Sequence, residues 1–95
     1  MRFSWDNNKD QSNLQKHGVS FEAAKLVFED PFHLSWQDQV IDDELRWKTL
    51  GAIGGVMVFV VAHTFTDEDG IEQIRIISAR QATKVERRNY EQNIR

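Results

Sequence analysis

The chain opens on a short alternation of apolar and polar side chains. Phe3 and Trp5 alternate with Arg2 and Ser4, which predicts a strand with one buried face, and Asp6 supplies a helix N-cap directly behind it. From Asp6 to His17 only Leu14 is strongly apolar, so the helix expected there lies on the surface, and Gly18 offers a left-handed stop at its end. A second helix is expected from Ser20, with Phe21, Ala24 and Phe28 on one face at spacings of three and four. It ends near Asp30-Pro31, because proline disfavours helical geometry in the residue before it.

Beyond Pro31 the period falls to two. Phe32, Leu34 and Trp36 point one way and His33, Ser35 and Gln37 the other, a half-buried strand. The acidic stretch from Asp38 to Glu44 reads as a connection, Arg46 to Leu50 as the next strand and Gly54-Gly55 as a hairpin turn. Val56 to Phe65 is apolar on both faces and so central in the sheet, and Thr66 to Gly70 is a polar turn leading into a strand from Glu72 to Ile77. Ser78-Ala79-Arg80-Gln81 reads as a capping box opening a helix that runs to about Asn93. Helices precede strands instead of alternating with them. The expected fold class is α+β: strand, helix, helix, an antiparallel sheet and a C-terminal helix.

Length bounds this picture to one domain spanning residues 1–95, since 11.1 kDa leaves no chain for a second core. With 40% hydrophobic residues the chain can bury a core, which argues against disorder. The absence of cysteine excludes disulfides, thiolate metal sites and cysteine nucleophiles, and agrees with a reducing compartment. No apolar run approaches the roughly 20 residues of a membrane span, and the opening Met1-Arg2-Phe3-Ser4-Trp5-Asp6 meets an acid where an export signal needs apolar residues, so a cytoplasmic location is expected.

The formal charge of −3 speaks against a nucleic-acid binder until it is resolved along the chain. Residues 29 to 46 carry one basic and six acidic side chains, and residues 67 to 74 carry four acids and no base. Residues 75 to 95 carry Arg75, Arg80, Lys84, Arg87, Arg88 and Arg95 against Glu86 and Glu91. Because Coulomb attraction is screened within about 10 Å in ordinary salt, a basic C-terminal segment can serve a local anion site in an acidic protein. A solvated helix face would give the same composition.

Candidate chemistry follows from spacing. Lys9, Asn13 and Lys16 form one stripe of the first helix, with His17 beside it in the last turn. They read either as a phosphate cradle with a proton-transfer histidine or as a solvated face that a histidine ends. Arg80, Lys84 and Arg87 share a face of the expected last helix, and Arg75 sits on the strand before it, pointing away from Ile74 and Ile76. Arginine suits bidentate phosphate contacts, and a helix start at Ser78 would add oriented N–H groups, against the plainer reading of Glu/Arg pairing on an exposed helix. Glu44 and Arg46 lie two apart and read as a salt bridge; His63 on an apolar strand reads as a hydrogen-bonded core histidine. The three histidines lack metal-ligand spacing, and no G-x-S-x-G, Walker or G-x-G-x-x-G motif is present, so no metal site, hydrolase triad or nucleotide cofactor is expected.

Taken together the motifs resemble a known family. Phe3-x-Trp5-Asp6-x-x-Lys9, Asn13-x-x-Lys16-His17-Gly18-Val19-x-Phe21-x-x-Ala24, Asp30-Pro31, Glu44-x-Arg46, Ile74-Arg75-Ile76-Ile77-Ser78-Ala79-Arg80-x-Ala82 and Glu86-Arg87-x-x-Tyr90 are similar to the BrnT toxins of bacterial type II toxin–antitoxin pairs. The resemblance spans nearly the whole chain and is thinnest from Trp36 to Asp43. It implies a RelE-like ribonuclease fold, RNA cleavage without a metal, and neutralisation by a BrnA-like antitoxin through which alone DNA is contacted. Of the motif positions, Arg80, Arg75, His17 and Glu44 are the expected catalytic residues, with Lys9, Lys16, Arg46 and Arg87 as substrate contacts, joined by Lys84 from the basic helix face outside the motif. By helical spacing Glu86 faces the Ala79-Ala82-Tyr90 side and reads as a partner for an arginine before it reads as a base. The competing class is a non-catalytic module that occupies RNA, ribosome or protein on the same fold.

Overall fold

The computed structural model describes residues 1–94, so Arg95, the last of the C-terminal cations, lies outside the described residues. Strand β1 (Arg2–Ser4) leads into helix α1 (Asn7–His17), and α2 (Phe21–Ala24) continues as a 3-10 turn through Lys25–Glu29. Strands β2 (Leu34–Ile41), β3 (Glu44–Ile53), β4 (Met57–Glu68) and β5 (Ile71–Gln81) follow as a meander, and α3 (Lys84–Ile94) closes the fold. The sheet order is β1-β5-β4-β3-β2; the four meander strands are antiparallel, and β1 adds to β5 in parallel with Phe3 opposite Ile74. Among the described residues no helix is long and apolar enough to cross a membrane.

Local chemistry explains the first half as expected. Asp6 Oδ1 accepts the N–H groups of Asn8 and Lys9, and Gly18, at φ 73°, ends α1 with its N–H on the Leu14 carbonyl. Ser20 caps α2 through Ala23 N–H, and Asp10 of α1 accepts the Phe21 N–H at 2.8 Å, fixing the two helices against each other. Phe21, Ala24 and Val27 are fully buried against Val61, Ile74, Ile76 and Ala79 on one face of the sheet. Gly51 is required there, since a Cβ would stand 2.8 Å from Val27 Cγ1 and 2.9 Å from its carbonyl oxygen. On the opposite face Tyr90 of α3 joins Leu50, Val58, Val60 and Ala82 in a smaller core.

Three expected boundaries are corrected. The Asp38 to Glu44 connection is mostly strand: β2 continues through a bulge between Gln37 and Gln39, and the turn is only Asp42-Asp43, both at positive φ. Likewise β4 runs through Thr66 to Glu68, with the turn confined to Asp69-Gly70. Two aspartates in left-handed geometry make a two-residue hairpin turn whose twist suits the flanking strands, which lets acidic residues stay in extended pairing. The third correction concerns Ser78-Ala79-Arg80-Gln81, which is extended strand paired with Phe59 to Ala62, not a capping box. Burial of Ala79 between β4 and the helices decides the competition, and the helix starts five residues later than the box would place it, at Lys84.

Candidate active site

The site is built around β5. Strand β1 covers its outer edge only at Gln73 to Arg75, leaving backbone groups beyond to be satisfied otherwise. Asn13 does this: its Nδ2 donates to the Ala79 carbonyl at 2.9 Å and its Oδ1 accepts the Ala79 N–H at 3.1 Å, so the side-chain amide pairs with the strand as a peptide would. The same Nδ2 donates to the Val19 carbonyl at 3.0 Å. Asn13 is buried and fully occupied, which removes it from the phosphate-cradle stripe and makes it the clamp that lays α1 along β5. The rest of the stripe survives. Lys9, Lys16 and His17 line an open cleft of about 330 Å³ over Ile77 and Ser78.

Arg75 leaves β5 between buried Ile74 and Ile76 and therefore points to the opposite face, where α3 packs further along the sheet. Its Nη2 donates to Glu44 Oε1 at 2.5 Å, and Arg46 Nε lies 3.6 Å from that same oxygen. Arg46 Nε is buried without a hydrogen-bond partner. One carboxylate is thus shared between two guanidiniums, and both it and Arg75 remain more than a third exposed, at 38% and 47%. Beside them Lys48 Nζ stands 3.7 Å from Asp38 Oδ1. Such a cluster can exchange its carboxylate for another oxyanion at little desolvation cost.

Arg80 behaves differently from its expected role in a first helical turn. It extends from β5, and its Nη1 and Nη2 donate to the two carboxylate oxygens of Glu86 at 2.8 and 3.0 Å. Glu86 also accepts the Thr83 N–H at 2.8 Å and donates its own N–H to Thr83 Oγ1 at 3.2 Å, a reciprocal capping box that starts α3. The hydrogen bonds from Arg80 hold the Glu86 carboxyl down to about 2, and Glu86 in turn raises Arg80 above the usual arginine range. The expected pairing of Glu86 with an arginine is therefore observed. Lys84 and Arg87 do not join Arg80 on one helix face; with Arg88 and Glu91 they line a shallow surface of α3.

Two further polar networks join residues far apart in the chain. Asp30 Oδ2 accepts the Tyr90 hydroxyl at 2.5 Å and the Ala52 N–H at 2.8 Å, while Oδ1 accepts the Phe32 N–H at 2.9 Å, tying α3 to β3. Burial pushes Asp30 up, but these three donors outweigh it and lower its pKa; burial and the Asp30 contact push Tyr90 up to about 12. His63 is a core histidine, as its apolar strand suggests. Its Nδ1 lies 3.0 Å from the Thr64 carbonyl, which can only accept, so Nε2 accepts from Thr49 Oγ1 at 2.7 Å, and Thr49 accepts from Ser35 at 2.7 Å. Burial lowers its pKa despite the Thr64 contact.

Comparison with known proteins then places the chain. Residues 5–86 match the family model described as the ribonuclease toxin, BrnT, of type II toxin–antitoxin systems. The crystal structure of the Brucella abortus ribonuclease toxin BrnT, solved at 1.1 Å, is similar with a TM-score of 0.61 and 24% identity, over 88% of this chain and 99% of that one. No curated protein matches the sequence. The matched span holds both strand arginines, the shared Glu44 and the whole α1 cleft, and the chain belongs to the BrnT family of ribonuclease toxins of type II toxin–antitoxin systems.

Proposed function

We propose that residues 1–95 act as a single RelE-like toxin domain, a cytoplasmic, metal-independent endoribonuclease that uses the ribose 2′-hydroxyl as nucleophile. The observation that carries this reading is the Arg75–Glu44–Arg46 cluster, a carboxylate between two guanidiniums on the sheet face. A phosphodiester that displaces Glu44 from Arg75 meets cations where transition-state charge grows and leaves a carboxylate beside it to take a proton. The 2′-oxygen then bonds to phosphorus and the bond to the 5′-oxygen breaks, giving a 2′,3′-cyclic phosphate and a free 5′-hydroxyl. Glu44 or His17 receives the 2′ proton, and solvent water protonates the leaving 5′-oxygen; Lys9, Lys16, Arg46, Lys84 and Arg87 follow the backbone. Arg80 moves from the phosphate to a positioning role, because its guanidinium is occupied by Glu86. A BrnA-like antitoxin neutralises the toxin by competing with RNA for Arg75, and DNA is met only through that antitoxin.

The test is naked RNA incubated with purified protein, with and without EDTA, and with Arg75→Ala as control. Fragments in molar excess over protein, ending in cyclic or 3′-phosphate and insensitive to chelator, are expected. A 3′-hydroxyl end, or loss in EDTA with rescue by metal, overturns the mechanism. Stoichiometric protection of RNA without cleavage turns the reading to a non-catalytic binding module.

A further inference from the structure

The end of the molecule farthest from Gly54-Gly55 carries a surface that the cleavage reading does not use. The Asp42-Asp43 and Asp69-Gly70 turns lie together there, because in the meander the β2–β3 and β4–β5 connections share one end of the sheet. Past the reach of α2, the helix-covered face of the sheet remains open. Val40 pairs with Leu45, Leu45 alternates with Trp47 on the same face, and Trp47 stacks edge-on against Phe65 at 6.2 Å. Val40 is 64% exposed, and Leu45 and Phe65 are each 37% exposed. This apolar strip runs into a cleft of about 220 Å³ between Phe28, Trp47, Phe65 and Ile74, with Glu72 at its rim.

The surroundings are predominantly acidic, although Met1, which bears the α-ammonium, also lines the cleft. Asp42, Asp43, Asp67, Glu68, Asp69 and Glu72 stand at this end, and among the described residues none of these six carboxylates is in an ion pair. Contiguous exposed apolar surface marks an interaction site, and the charge around it selects the partner. Phosphates are repelled here, so RNA is the wrong occupant, and solvent alone leaves the Val40–Leu45–Phe65 strip wet.

We propose that this apolar strip and cleft, bordered by acid at the turn end of the sheet, form the anchoring surface for a protein segment whose apolar side chains are flanked by Lys or Arg. The proposal rests on the toxin–antitoxin reading in taking that segment to belong to the antitoxin. It separates anchoring, on this face, from silencing at Arg75 on the other. The anchor sets affinity and partner choice, and its charge complementarity speeds encounter at low salt.

The experiment uses the full chain, its purified cognate antitoxin, and a short designed peptide alternating valine with lysine. Val40→Lys and Leu45→Ser should each weaken antitoxin binding at least tenfold and abolish peptide binding, with RNA cleavage by the free toxin and thermal unfolding unchanged. Glu72→Gln should weaken binding less and flatten its salt dependence. Unchanged antitoxin affinity in Val40→Lys overturns the proposal. Loss of RNA cleavage by folded Leu45→Ser also overturns it, and assigns the cleft to RNA. Failure of Arg75→Ala to impair cleavage speaks only against the catalytic reading, because anchoring is measured on the other face.

Discussion

Two arginines five residues apart on one strand each meet a glutamate, and the two pairs are built for different ends. Arg80 and Glu86 form a closed fork: two hydrogen bonds at 2.8 and 3.0 Å, with Thr83 N–H occupying the same carboxylate. Arg75 reaches Glu44 through one nitrogen, and Glu44 divides itself with Arg46. A bidentate pair with a third donor resists exchange, whereas a single contact on an exposed carboxylate is replaced readily by another anion. The difference shows why residue type alone cannot rank candidate site residues. Both arginines sit in one motif, yet one holds the glutamate that caps α3 and the other keeps an exchangeable partner.

The largest loss is expected from Asn13→Ala, which undoes both pairs at once. Both arginines ride on β5, and the outer edge of that strand beyond β1 is held by the Asn13 amide. Its loss leaves the Ala79 N–H and carbonyl and the Val19 carbonyl with no side-chain partner in a buried setting, a cost of about 2–4 kcal/mol. For a chain of this size that lowers Tm by roughly 10 °C or more. Asn13→Asp should be as harmful, because a carboxylate cannot donate to either carbonyl. A melting temperature within a degree of wild type in either variant removes the clamp from the account.

Arg75→Ala acts on the open pair alone. One charge-assisted contact to phosphate is worth about 1.5–3 kcal/mol, so cleavage should fall roughly tenfold to a hundredfold. Thermal unfolding should hardly move, since Arg75 and Glu44 are both partly in water. Glu44→Gln distinguishes the roles further: a base loses its rate and the steepness of its acid limb, whereas a mere partner of Arg75 leaves the pH profile unchanged. Cleavage by Arg75→Ala at the wild-type rate would falsify its assignment to the phosphate.

How much of this was legible in the chain depends on the range of the interaction concerned. The caps at Asp6 and Ser20, the stop at Gly18 and the break at Asp30-Pro31 act within a few residues and read correctly. The β5–α3 junction did not, because two capping boxes compete there. Ser78-x-x-Gln81 and Thr83-x-x-Glu86 are equally good locally, and burial of Ala79 under α2 selects the second. Asp42-Asp43 hid a hairpin turn behind a charge pattern that reads as a loop. The same limit applies to the site. Lys9, Lys16 and His17 share a helix face by periodicity, but Glu44 meets Arg75 across 31 residues of sequence, and only the sheet brings them together.

Acid titration tests the closed pair. The Glu86 carboxyl is held to about 2 from an ordinary 4.5, so its stabilisation is present above about 4.5 and is lost as pH falls toward 2. Asp30, lowered from 3.8, adds to the loss in the lower part of that window. His63 acts earlier: its pKa is lowered from 6.5, the unfolded chain takes the proton first, and stability begins to fall as pH drops below 6.5. Arg80→Ala should lower stability by about 1–2 kcal/mol near neutrality and flatten the curve below pH 4.5, leaving the histidine limb in place. An unfolding curve in acid that is the same with and without Arg80 would show that the fork contributes nothing.

The smallest effects are expected on α3, where Lys84 and Arg87 stand on an exposed surface with Arg88 and Glu91. Neither side chain is in an ion pair among the described residues, so the action expected of them on RNA is a screened attraction, not a defined contact. Such cations contribute through counterion release, with a slope of about 0.7 in the logarithm of affinity per phosphate neutralised on a single strand. Lys84→Ala should weaken RNA binding about twofold to threefold at low salt, lower the salt slope by no more than that amount, and leave single-turnover cleavage of bound RNA unchanged. Arg75→Ala should do the reverse, slowing the bound complex. If Lys84→Ala instead slows single-turnover cleavage as strongly as Arg75→Ala, the reactive phosphate lies over α3. The open pair on β5 would then be a structural contact like its closed neighbour.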